Sequence, residues 1–153
     1  MKQIEFCERV SQYRHQLYIT AYTILGNVAD AEDAVCNAIL NGYEHLAQLK
    51  DSKKFKAWML TITKNEALKI CNKRMEFMGD ENIERLLPPS YDSHNELWDI
   101  VQSLKDEYRI VIVLFYYNDL SIRDISGVLG ISVGTVKSRL SRGKKLLKDA
   151  LGE

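Results

Sequence analysis

The chain has 153 residues, 46% of them hydrophobic, with 21 basic side chains balanced by 21 acidic ones. That apolar share supports a folded core and excludes a disordered chain, and the length fits one ordinary domain or two small ones. The longest unbroken apolar run, Ile110–Tyr117, is eight residues, far short of the ~20 that span a bilayer. No basic segment followed by an apolar one opens the chain, so the sequence predicts a cytoplasmic protein with no membrane insertion.

The zero net charge hides an uneven distribution. Basic against acidic residues count 3 to 6 over 1–47, 8 to 3 over 48–76, 1 to 6 over 77–99, 2 to 3 over 100–120 and 7 to 2 over 121–151. Two basic segments alternate with acidic ones, and local charge rather than the sum attracts phosphate. With 2 prolines, 8 glycines and few clustered β-branched residues, the predicted fold class is all-α. Two small helical domains are expected, covering 1–76 and 100–153, joined by a flexible acidic linker over 77–99. The linker is marked by Gly79, Asp80, Glu81 and Asn82, then by Pro88, Pro89 and Ser90.

In the first block a helix is predicted to open at Asp30, with Asp30 as N-cap and Asp33 at the third helical position, both favoured by the helix dipole. Its apolar face reads Ala34, Val35, Ala38, Ile39 and Tyr43. Asp30, Glu32 and Asp33 are read as an acidic first turn rather than a metal cluster. Residues Lys50–Lys54 form a basic loop, and a further helix over about 54–74 places Phe55, Trp58, Met59, Ile62 and Leu68 on or near its buried side. At that spacing Tyr43, Phe55 and Trp58 are core residues before they are base-stacking platforms. Cys7, Cys36 and Cys71 are odd in number and isolated, and show no ligand spacing to His15, His45 or His94. They read as small core residues, and neither a metal nor any other cofactor is implied.

The second block opens with a predicted helix holding Leu104, Tyr108, Val111, Leu114 and Phe115, with Tyr116 and Tyr117 packing between helices. Residues 121–148 then carry the strongest signal in the chain. Ser121 is a good N-cap with Asp124 three residues on, and Ile122, Ile125, Val128 and Leu129 give a short helix its inner face. Gly130 follows where a helix leaves through a left-handed residue. Ile131 plugs the angle, and Ser132 caps a second helix whose inner face reads Val133, Val136, Leu140 and Leu147. That second helix carries Lys137, Arg139, Arg142, Lys144, Lys145 and Lys148 with no acid before Asp149. One apolar stripe with a basic remainder suits a recognition helix in a DNA major groove. The plain alternative is a solvated charged face that pairs with an acidic partner.

The run Leu120, Ser121, Ile122, Arg123, Asp124, Ile125 and the run from Gly130 to Lys144, above all Gly134, Thr135, Val136, Lys137, Ser138, Arg139 and Leu140, resemble the promoter-reading domain of the extracytoplasmic-function (ECF) group of sigma factors. Upstream, Asp30, Ala31, Glu32, Asp33, Ala34 and Val35, with Phe55, Lys56, Ala57, Trp58, Met59 and Leu60, resemble the family's other domain, which grips polymerase and melts DNA. The motifs stand in the family's order and spacing over about nine-tenths of the chain.

The resemblance implies a sigma factor that binds core RNA polymerase and promoter DNA, both duplex and single-stranded, with an anti-sigma protein as a further partner. It places Asp30, Asp33 and Asn37 against polymerase. It places Lys53 and Lys54 of the basic loop, and Lys64, Asn65, Lys69, Asn72, Lys73 and Arg74 of the following helix, on the melting −10 strand. It places Ser132, Thr135, Lys137, Ser138, Arg139, Ser141, Arg142 and Lys145 at the −35 element. It threads the acidic linker through the polymerase channel. Strand capture needs cations and a pocket for an unstacked base, because unstacking costs a few kcal/mol that new contacts must offset.

Four positions depart from the family's pattern: Cys36 stands for the usual glutamine, Ile39 for phenylalanine, Gly143 for alanine and Lys105 for proline. No nucleophile triad, phosphate loop or catalytic carboxylate pair occurs, so no enzyme is expected. Competing readings are a polymerase-independent helix-turn-helix regulator and a helical adaptor. The first has no use for a strand-reading loop and helix, and the second none for a one-sided cationic helix.

Overall fold

A computed structural model describes residues 1–78 and 96–152, with side chains over 1–74 and 96–152. The described residues are helical with no strand, and the chain divides into two compact units, Met1–Leu87 and Pro88–Glu153. Residues 79–95 of the expected linker lie outside the described residues. At its edges the helices extend further than expected, one running to Met78 and the next starting at Glu96.

The first unit packs three helices, α1 (Gln3–Leu25), α2 (Val28–Glu44) and α3 (Phe55–Met78), each against the other two. Buried Phe6, Val10, Leu17, Ala21 and Leu25 form one stripe of α1. Helix α2 answers with small residues, Ala31, Ala34, Val35, Ala38 and Gly42, which let its backbone come close. Phe55 is 1% exposed and meets Phe6 edge-on at 5.8 Å and Tyr13 at 6.2 Å. Of the expected core aromatics, Phe55 is fully buried and Trp58 half-buried. Tyr43 is exposed, with one edge on Phe6 at 5.8 Å. Leu68 is exposed, and the inner face of α3 uses Leu60, Thr63 and Ala67 beside Met59.

Helix α2 starts earlier than the sequence predicts. Its N-cap is Asn27, whose Oδ1 accepts from the Asp30 N–H at 2.8 Å. Asp30 therefore sits in the first turn and not at the cap, because Gly26 ends α1 and leaves Asn27 in extended backbone one residue before the new helix. The cysteines also depart from expectation: Cys7 and Cys36 are exposed and Cys71 is half-buried. Small apolar side chains already fill the α1–α2 contact, and these three lie off it.

The second unit comprises α4 (Glu96–Ser103), α5 (Asp106–Ile112), a π-helical turn over Val113–Tyr117, α6 (Ile122–Leu129) and α7 (Val133–Leu151). The single helix expected through Leu104 and Phe115 is thus interrupted twice. The first break falls at Leu104 and Lys105, where buried Arg109 reaches back to donate to the Gln102 carbonyl at 2.9 Å and pairs with Asp106. The second is the π turn, whose widened ring lets the Asn118 side chain donate to the Val113 carbonyl at 3.3 Å. Tyr117 is half-buried against Trp98, at 5.1 Å, while Tyr116 is exposed.

Helix α7 packs on α4, α5 and α6 through Val136, Leu140 and Gly143. Val133, expected inside, is exposed, because it precedes the first turn that reaches the core. At Gly143 an added Cβ would lie 3.0 Å from Ile112 Cγ1, so Ile112, 1% exposed in the core, would have to give way by a few tenths of an ångström. Alanine's better helix propensity is worth about 1 kcal/mol, against about 1–3 kcal/mol for overpacking. Gly143→Ala should therefore lower stability by about 1 kcal/mol net, as read by thermal unfolding of the whole protein. A stabilised single variant would show that α7 can shift away from α5.

Candidate nucleic-acid interface

Within the second unit, α6 and α7 form a helix-turn-helix built as its sequence predicts. Ser121 Oγ accepts from the Asp124 N–H at 3.1 Å, and Ser132 Oγ accepts from the Thr135 N–H at 3.1 Å. Between them Gly130 takes a left-handed conformation at φ 68°, and its N–H and that of Ile131 both reach the Ser126 carbonyl, at 2.9 and 3.3 Å. A side chain at Gly130 would strain that turn and re-aim α7.

Burial of Val136 and Leu140 fixes the rotation of α7 about its axis. Lys137, Ser138, Ser141, Arg142 and Lys145 are exposed, and Thr135 and Arg139 are half-buried at the margin. Ser132 is exposed but its hydroxyl is engaged in capping and lies 2.8 Å from Thr135 Oγ1. A shallow groove of about 650 Å³ runs between Glu107 and Tyr108 of α5 and Ser132, Thr135, Ser138, Arg139 and Arg142 at the start of α7. Glu107, which the sequence reading missed, faces Arg139 at 3.9 Å. No local pattern announces it, since α5 and α7 meet only in the fold. Lys144 is set apart from the other cations of α7: its ammonium lies over Phe115 at 5.4 Å and Tyr116 at 5.7 Å.

In the first unit Lys53 and Lys54 are exposed in a short 3-10 turn, Ser52–Lys54, which Asp51 caps by accepting the Lys53 N–H at 3.0 Å. Arg9 of α1 donates to the Ser52 carbonyl and lies over Phe55 at 5.8 Å, so this loop is tied to the core. On α3, exposed Asn65, Lys69 and Asn72, with Lys73 beside them, share an outward stripe with half-buried Trp58. Lys69 also pairs at 3.2 Å with Glu66 Oε1, which accepts from Asn41 of α2 at 3.1 Å.

Lys64 is half-buried at the flank of the stripe, and desolvation pulls its pKa below the ordinary lysine range. Arg74 is not on this stripe. It donates to Asp30 Oδ2 and to the Leu25 carbonyl, both at 3.0 Å. Asp30 is thereby engaged within the unit, while Asp33 and Asn37 stand exposed on α2. Leu40 completes their face at 63% exposure. The sequence reading passed over it, although an apolar residue out of register with Ala34 and Ala38 was a usable signal. Among the described residues no group of three or more histidine, cysteine or acidic side chains could hold a metal, and no helix is long and apolar enough to cross a membrane.

A helix-turn-helix whose second helix turns cations and hydroxyls outward defines a DNA-binding protein. Comparison with known proteins names its family. A family described as "Sigma-70 region 2" matches residues 9–76, and one described as "Sigma-70, region 4" matches 94–147. The chain is 31% identical to the ECF RNA polymerase sigma factor SigW of Bacillus subtilis, over 95% of this chain and 88% of that one. It is 30% identical to the ECF RNA polymerase sigma factor SigE of Mycolicibacterium smegmatis, over 95% and 61%. Its fold is similar to that of the sigma factor RpoE solved with the anti-sigma factor NepR from Bartonella quintana, with a TM-score of 0.84 at 21% identity over 97% of each chain. It is also similar to CnrH solved with the cytosolic domain of CnrY, with a TM-score of 0.70 at 20% identity over 99% of this chain and 90% of that one. The chain belongs to the ECF group of the sigma-70 family and is a sigma factor.

The partly desolvated ammonium of Lys64 costs the free protein stability at any pH below its depressed folded pKa, and the cost fades as pH rises above it. Lys64→Met should accordingly leave the Tm at neutral pH equal or higher, as read by thermal unfolding. A lower Tm would show that the ammonium makes a contact that the fold needs.

Proposed function

We infer that this sigma factor docks on core RNA polymerase through the exposed face of α2, holds the melted −10 strand on α3 and the 51–54 loop, and reads the −35 duplex with α7. The observation that carries this reading is that two cationic faces, one in each unit, stand clear of apolar cores that make no use of them. On α7 the duplex-reading set is Thr135, Lys137, Ser138, Arg139, Ser141, Arg142 and Lys145. Ser132 acts there through its cap. On α3 and its loop the set is Lys53, Lys54, Lys64, Asn65, Lys69, Asn72 and Lys73, with Trp58 on the same stripe as a surface on which an unstacked base can rest.

Asp33, Asn37 and exposed Leu40 form the polymerase-facing surface, where Cys36, also exposed, adds a small side chain between them. This division assigns the helices up to α3 to polymerase binding and melting, the segment between Met78 and Glu96 to a linker, and the helices from α4 onward to the −35 element, with the cell's cytoplasm as the place of action. An anti-sigma protein is a further partner, a reading supported by the likeness to the sigma factor RpoE solved with the anti-sigma factor NepR.

In vitro transcription with purified core polymerase tests the reading. Specific initiation on a promoter-bearing genomic template should depend on this protein. A protein that binds duplex DNA alone, and gives no polymerase-dependent initiation on any such template, would be an independent regulator instead. Arg142→Ala should weaken −35 recognition about tenfold, the value of a base or phosphate contact, and leave polymerase affinity intact. Equal loss of both would misplace Arg142.

A further inference from the structure

Arg74 differs from every other cation of the strand-reading set in where its helix position points it. At about 100° per residue, Arg74 lies half a turn from Asn65 and close to the line of Thr63 and Ala67, which are fully buried. Its guanidinium runs inward along that face to the junction of α1 and α2. There one nitrogen donates to Asp30 Oδ2 at 3.0 Å and the other to the Leu25 carbonyl at 3.0 Å, an acceptor left over at the end of α1.

The same Asp30 oxygen accepts from Asn27 Nδ2 at 2.9 Å, and the Asp30 N–H closes the α2 cap on Asn27 Oδ1. One planar guanidinium thus joins the last turn of α1, the first turn of α2 and the far end of α3. Its fork geometry suits two acceptors held in fixed directions, which a lysine ammonium would not match.

We propose that Arg74 is a positioning residue and not a strand contact: it locks the distal part of α3 to the start of α2, so that docking of α2 on polymerase sets where the strand-reading stripe stands. This rests on the functional reading above. Asp30 belongs to the same lock, and its part in docking is to hold the first turn of α2 and to tie it to α3. Asn72 and Lys73, two residues and one residue before Arg74, are the reading side chains whose placement depends on it most.

The test uses the full chain with saturating core polymerase, on a fully duplex promoter and on the same promoter premelted at −10. The variants are Arg74→Ala, Arg74→Lys, Asp30→Asn and the Arg74→Ala/Asp30→Asn pair, each with its Tm recorded. A lock predicts that Arg74→Ala and Asp30→Asn lower open-complex formation by similar factors, about fivefold to tenfold, and that the pair is no worse than either, as for residues in direct contact. Arg74→Lys should recover part of the activity, and the salt dependence of binding to the premelted promoter should not change.

A strand contact predicts instead a salt slope shallower by about 0.7 for Arg74→Ala, with Asp30→Asn as active as the wild type. Either of those results overturns the inference, as does full activity of Arg74→Ala. A fall in Tm with unchanged initiation per folded molecule also overturns it, because it leaves Arg74 a purely structural role. If Arg74→Ala is unfolded at the assay temperature, Arg74→Lys and Asp30→Asn carry the same comparison. Absence of initiation by the wild type would count against the functional reading and not against the lock alone.

Discussion

The rotation of α7 about its own axis decides what this protein can read. Successive residues turn by about 100°, so a one-position shift in the buried stripe would bring a cation into the core and an apolar side chain to the DNA. Three positions set the rotation: Val136 and Leu140, which are buried, and Gly143, where α7 lies so close to Ile112 that even a methyl group intrudes. The start of the helix is fixed as well, by the Ser132 cap and the left-handed Gly130. The exposed set from Lys137 to Lys145 follows from these apolar constraints. None of the cations has to stabilise the fold for the helix to present them. Lys144 shows the contrast, since its ring contacts use it in packing and set it apart from the others.

The first unit solves the same problem by different means. Its core is made by small residues of α2 against larger ones of α1 and α3, which brings helices close and leaves one face of each in solvent. Polar side chains then tie the faces in register. Asn41 reaches Glu66, Arg9 reaches the 51–54 loop, and Arg74 reaches Asp30 and Leu25. These ties are part-exposed, where the Coulomb gain of any one pair is small. Their importance lies in geometry, because they hold the exposed faces of different helices in one arrangement.

Sequence patterns carried the second unit further than the first. The helix-turn-helix was legible in caps, a glycine and one apolar stripe, all of them local signals; the structure reproduces the caps and the glycine, and the stripe at Val136 and Leu140 but not at Val133. The start of α2 was misread because Asp30 and Asp33 imitate a cap. The true cap, Asn27, follows directly on Gly26, and that pairing of stop and start is the better signal. The breaks in the helix expected through Leu104 and Phe115 depend on buried Arg109 and on a π turn, neither of which helical spacing encodes. Among candidate site residues, periodicity found the outward faces of α3 and α7 but could not separate Arg74 from its neighbours. Its partners Asp30 and Leu25 come from the far ends of other helices. Glu107 and Leu40 were missed for a related reason: each matters only once a neighbouring helix defines which side is outside.

The central claim, that two cationic faces engage two different parts of one promoter at once, is tested most directly by site-specific photocrosslinking in a single open complex. Photoreactive probes replace Ser138 on α7 and Asn72 on α3, both exposed and both on the outward stripes. The probe at 138 should attach to duplex DNA at −35 only, and the probe at 72 to the unpaired strand at −10 only. Attachment of both probes to the same element, or of the 138 probe to the melted strand, would contradict the account.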